Sequence, residues 1–87
     1  MTIMRDKQWT AQVFINERGN DTHVRAVLTT QDGTTIEGTG HARRNPADPA
    51  VPEIGDELAV GRAFLDIGHR LVALAGIDIE EAQSIGQ

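Results

Sequence analysis

Eighty-seven residues without a single cysteine fit one small α+β domain with a thin core, and they exclude both a disulfide framework and a thiolate metal site. No apolar run is long enough to cross a bilayer and MTIMRDKQW has no signal-peptide core, so a soluble cytoplasmic protein with no membrane partner is expected. The net charge of −5 is uneven: residues 1–44 carry six basic and five acidic side chains, residues 45–87 two and eight. Non-specific nucleic-acid binding by the whole surface is therefore unfavourable.

Residues 8–16, QWTAQVFIN, alternate, with Trp9, Ala11, Val13 and Ile15 on one face and Gln8, Thr10, Gln12 and Asn16 on the other. That is the pattern of a half-buried strand. Phe14 falls on the polar side, as a lone exposed aromatic or as a partner contact. The first reading is preferred, since single exposed apolar residues are ordinary. After a turn at 17–21, where Gly19 and Asn20 can adopt left-handed conformations, residues 22–30 alternate again. Val24, Ala26 and Leu28 point inward, and His23, Arg25, Val27 and Thr29 outward.

A two-residue hairpin at Asp32-Gly33 would set Leu28 opposite Glu37 on one face of the sheet. Register instead favours a three-residue loop with Gly33 left-handed, which pairs Leu28 with Ile36. The third strand, 34–43, turns Ile36, Gly38, Gly40 and Ala42 inward. Two glycines and an alanine make a shallow strip, which predicts that another backbone comes close there. Pro46 and Pro49 end the pairing.

Pro52 suits the first turn of a helix, and Glu53, Asp56 and Glu57 complement its positive dipole end. The expected helix runs from about 53 to 75, with Gly76 as its C-cap and 77–87, like 1–7, as frayed tail. At about 100° per residue, Val60, Phe64, Ile67, Leu71 and Leu74 form one apolar stripe and Ile54, Leu58, Leu65 and Val72 a second. Gly61, Gly68 and Ala75 lie between the stripes at intervals of seven, and Arg62, Asp66, His69 and Arg70 occupy the opposite side. Gly61 and Gly68 are read as points of close approach to strand three or to a partner helix, so Gly68→Leu should overpack. A thin one-helix core and a doubly apolar helix together predict a homodimer. Its interface candidates are Phe64, Leu65, Leu71, Gly61 and Gly68, or an edge strand that extends the sheet.

Signals for chemistry are sparse. His23 and His41 fall near each other on the outer face, with Glu37 one pair away. A zinc site needs three or four converging ligands, so an ordinary solvated histidine pair is expected, with no metal and no cofactor. Gly38-Thr39-Gly40 lacks the strand-loop-helix context and later glycines of a phosphate loop. Ser84 is the only serine and lies near the tail, and no acid/base pair is indicated, so the expectation is no enzyme and no small-molecule substrate. For RNA, the outer face offers Arg25, Arg43, His23, His41 and Phe14, with Lys7 near its margin and Arg44 just beyond it, a modest basic patch with one aromatic.

The stretch ARRNPADPAVPEIGDELAVGRAFLDIGHRL, with NPAD followed by VPEIGDELAVGRA, resembles small actinobacterial proteins of unknown function whose fold is similar to the double-stranded-RNA-binding domain. The likeness extends back through the Trp9 strand. It implies three strands and a long helix, commonly as a dimer. A suggested likeness to ribosome hibernation-promoting factors further implies a ribosome- or RNA-associated role in stress or dormancy. The alternative is a homodimeric protein-interaction module with no nucleic-acid ligand.

Overall fold

The computed structural model describes residues 4–85. It is an α+β fold in which an antiparallel meander, β1 (Thr10–Arg18), β2 (Asp21–Thr29) and β3 (Thr35–Arg43), is followed by one helix, α1 (Pro52–Ile85). β1 turns into β2 through Gly19 and Asn20 alone, with Gly19 at φ +58°, so glycine takes the left-handed first position of a two-residue turn. Leu28 pairs with Ile36, as the register argument requires, and the loop between them is three residues long with Gly33 at φ +88°. Asp32 holds that loop, its Oδ1 accepting from the Thr30 hydroxyl at 2.6 Å and the Thr34 N–H at 3.1 Å. These bonds favour the charged carboxylate and bring its pKa down to about 2.

The core is made of small side chains: Val24, Ala26 and Ala42 from the sheet, and Ala59, Ala63 and Ile67 from the helix. The close approach predicted for β3 is real, and α1 is what approaches. A Cβ at Gly40 would lie 2.6 Å from Ala63 N, and one at Gly38 would lie 2.5 Å from Ala63 O. The helix side of this contact is the Ala59–Ala63 row, not Gly61 and Gly68, around which a Cβ would meet nothing within 4 Å. The expectation that Gly61 and Gly68 seat the helix on β3 is thus corrected. The apolar stripe drew attention to large residues, whereas the tight contact uses alanines one step round the helix.

Two further expectations change. The inner face of β1 is not half-buried: Trp9, Val13 and Ile15 are 48%, 37% and 46% exposed. One helix about 10 Å wide covers roughly two strands spaced about 4.8 Å apart, and α1 lies over β3 and β2 and scarcely reaches β1. Nor does α1 stop at Gly76; it continues to Ile85. One internal glycine costs only about 1 kcal/mol relative to alanine, and the following Glu80, Glu81, Ala82 and Gln83 are good helix formers. The 34-residue helix is about 50 Å long against about 30 Å for a nine-residue strand. Its last turns overshoot the sheet, with every residue from Val72 to Gln83 exposed. Among the described residues no helix is long and apolar enough to cross a membrane.

Candidate nucleic-acid interface

The outer face of the sheet is a set of cross-strand rows fixed by register. Moving from the β1–β2 turn, these are Arg18–Asp21–Arg43, Asn16–His23–His41, Phe14–Arg25–Thr39 and Gln12–Val27–Glu37. The structure therefore gathers four of the five RNA-contact candidates, Arg25, Arg43, His23 and His41, on one surface. Arg44 is not with them. It bonds Asn20 Oδ1 at 2.7 Å and the Asp48 carbonyl, which pins the 44–51 loop against the first turn.

Part of the positive charge on this face is already engaged. Arg25 pairs with Glu37 at 3.0 Å, and its guanidinium lies 4.5 Å from the centre of the Phe14 ring. Phe14 is thus neither solitary nor free: it is the platform on which Arg25 rests. His41 Nε2 lies 2.9 Å from Asp21 Oδ1. That hydrogen bond, reinforced by Arg43 and the two histidines and opposed by desolvation, holds the Asp21 carboxyl below its usual range. His23 stacks on His41, centroids 4.4 Å apart and planes at 17°. Glu37 lies two outward rows from His41, further than the sequence suggested.

The two sides of the sheet differ at their edges. On β3, the Thr39 N–H donates to Asp66 Oδ2 at 2.9 Å and Arg62 donates to the His41 carbonyl at 2.7 Å. Two helix side chains thus occupy the mid-strand edge groups of β3, and the Thr39 bond, helped by Arg70, lowers the Asp66 pKa. Among the described residues, the edge of β1 carries no such cover. At about 100° per residue, Val60, Phe64 and Leu71 fall on the helix flank opposite Arg62 and Asp66, which is the flank toward β1. Phe64 is 43% exposed and Leu71 half-buried. Leu65 lies with Ile54 and Val72, all strongly exposed, on the side of the helix away from the sheet, as do Gly61 and Gly68. The interface candidates therefore do not form one patch: Phe64 and Leu71 join the bare face of β1, while Leu65 does not.

Three features were not singled out as sites from the sequence. Asp21 joins the histidine pair, a placement that the i, i+2 spacing to His23 on an outward-facing strand could have signalled. Glu17, on the inner face, meets Asp56 from the first turns of α1. The hydrogen bond to Asp56 and the charges of Asp56 and Glu53 raise its pKa, and Asp56 Oδ1 is buried with no hydrogen-bond partner among the described residues. A cleft of about 540 Å³ between the 44–51 loop and the start of the helix is walled by Arg44, Pro49, Val51, Ile54 and Leu58.

This arrangement has close counterparts. The profile of the Rv2632c-like family matches residues 7–86. The chain belongs to that family. Its Rv2632c-like relatives include the uncharacterized protein Mb1767 of Mycobacterium bovis, 43% identical over 74 residues, or 85% of this chain and 78% of that one. They also include the uncharacterized protein Rv2632c of Mycobacterium tuberculosis, 44% identical over 68 residues, or 78% of this chain and 72% of that one. The crystal structure of Rv2632c superposes with a TM-score of 0.77 at 38% identity, covering 93% of each chain. These Rv2632c-like relatives are mycobacterial proteins without an assigned activity, and the functional argument rests on the geometry above.

Proposed function

We propose that this Rv2632c-like chain is a non-enzymatic, homodimeric protein-interaction module in which a second copy covers the inner face of β1. The observation that supports this reading is the uneven cover of the sheet. Trp9, Val13 and Ile15 are exposed on a free edge strand beside Phe64 and Leu71, while helix side chains occupy the edge groups of β3. Apolar side chains clustered along an unpaired edge favour strand pairing or face-to-face burial. A second copy supplies the same surface about a two-fold axis.

Ribosome or RNA association has less support. On the outer face Arg25 is neutralised by Glu37, and Arg18 and Arg43 flank Asp21. A face that neutralises so few phosphates binds RNA weakly.

Sedimentation equilibrium of the wild type beside Val13→Glu and Phe64→Glu tests the proposal. The wild type should have twice the chain mass, and each variant should be monomeric with an unchanged far-UV spectrum. A wild type that stays monomeric overturns the reading. Co-sedimentation with ribosomes at moderate salt, abolished by the Arg25→Glu, Arg43→Glu double variant, would favour the RNA role instead.

A further inference from the structure

We propose that Asp21, His23 and His41 form a binding site for a late first-row divalent cation such as Zn²⁺ on the outer face of the sheet. The site stands on rigid backbone. His23 and His41 are direct cross-strand partners within the β2–β3 ladder, two pairs in from its Asp21–Arg43 end, and Asp21 precedes His23 by two residues on the same strand and face. One ligand atom from each of the three residues lies within 4.8 Å of the other two. The imidazoles stack with 4.4 Å between centroids and 17° between planes, so a shared ion requires the rings to turn out of the stack until their in-plane lone pairs converge, and Asp21 Oδ1 already reaches His41 Nε2 at 2.9 Å.

Ligand distances of about 2.0–2.1 Å in tetrahedral geometry require donor atoms about 3.3 Å apart. His23 and His41 are exposed on the sheet face, so side-chain rotations that open the stack can bring the donors to that spacing without movement of the strands. Two neutral nitrogens and one carboxylate oxygen are the donor set of zinc and its neighbours, not of magnesium or calcium, which prefer oxygen alone. Three protein donors leave the remaining position to water. Asn16, paired with His23 on β1, borders the site on its third side.

The charges around the site limit its strength and provide its signature. Arg18 and Arg43 are the cross-strand partners of Asp21, and both oppose a bound cation. A nearby exposed guanidinium weakens a divalent ion by a factor of the order of ten in a high-dielectric setting. The site is therefore weaker than a buried zinc centre, and removing Arg43 should strengthen it. A merely solvated histidine pair has no reason to respond in that way.

Isothermal titration of the full chain with Zn²⁺, using Mg²⁺ as the hard-cation control, tests the proposal. One equivalent of Zn²⁺ should bind saturably at pH 7.5 and Mg²⁺ should not. His23→Asn and His41→Asn should each weaken Zn²⁺ binding by about tenfold or more, as expected when one of three ligands is removed. Arg43→Gln should tighten it by up to about tenfold, and His69→Asn, on the helix, should leave it unchanged. The ring-nitrogen resonances of His23 and His41 in the wild type should shift with Zn²⁺, which reports on the site independently of any variant's folding. Unshifted resonances together with no saturable heat, or equal losses in His69→Asn and His41→Asn, overturn the proposal.

Discussion

The two edge strands of this three-stranded sheet meet very different fates. β3 is poor in side chains on its inner face, and that poverty lets α1 sit close enough for Ala59 and Ala63 to touch it and for Arg62 and Asp66 to reach round its edge. β1 carries Val13 and Ile15, with Trp9 just before it, the larger apolar groups, and is left uncovered. Hydrophobicity along a strand therefore did not decide where the helix went; closeness of backbone approach did. The glycines drew the helix to one side, and the apolar strand was left uncovered.

The sharpest way to break this asymmetry is at Gly40. Gly40→Ala places a methyl group against the backbone of Ala59 and Ala63, which can yield only if the helix moves, so a loss on the order of 3 kcal/mol is expected in urea denaturation. Gly61→Ala and Gly68→Ala are the contrast: nothing stands within 4 Å of either Cβ, and each should stabilise the helix by about 0.5–1 kcal/mol. A destabilised Gly68→Ala would mean that a second chain occupies the space above it.

The sealed edge of β3 offers a smaller lever. Arg62→Ala combined with Asp66→Ala exposes the Thr39 N–H and the His41 carbonyl. Hydrogen exchange at Thr39 should then accelerate toward that of outward-facing amides in β1, while the β2–β3 ladder amides keep their protection. Unchanged exchange at Thr39 would show that the seal is ornamental.

Titration separates the two ends of the helix contact. Glu17 has a raised pKa, so its contribution to stability is present below its ordinary value of 4.5 and is lost as pH rises through the folded value. Glu17→Gln should therefore gain stability relative to wild type near neutrality and remove the decline above pH 4.5. Asp66 and Asp32 have lowered values. Their contributions are present above the ordinary 3.8 and are lost as pH falls, through about 2 in the case of Asp32. Asp32→Asn should flatten the acid limb of the stability curve. Thermal melts from pH 2 to 8 would register both effects, the Asp32 effect being confined to the acid end.

Much of the fold was legible because the features that set it are local. Alternation marked three strands, the Asp32-Gly33 register fixed the second hairpin through the pairing of Leu28 with Ile36, and Pro52 marked the start of the helix. What sequence reasoning missed depends on where the helix axis lies across the sheet, which no periodicity records. Any strand with an apolar alternate face reads as half-buried, so Val13 and Ile15 gave no sign of being uncovered. Ala59 and Ala63 look like filler beside Phe64 and Leu65, although they carry the contact. For the outer face, the strand pattern placed His23 near His41. It could not say that Arg25 would rest on Phe14 and pair with Glu37, or that Arg44 would turn into the loop. Those outcomes depend on rotamers and on the β1–β2 turn.

The sealed edge also has a consequence for stoichiometry. A sheet with two open edges is bivalent, and bivalent units join end to end without a natural stop. Arg62 and Asp66 occupy two groups of the β3 edge from within the chain, so a strand adding there would have to displace them, whereas β1 offers its edge without such a cost. A unit that pairs through its one readily open edge consumes that site, and the assembly terminates at two. If the chain pairs through β1 as proposed, the same pair of side chains that fastens the helix would also hold the assembly at two.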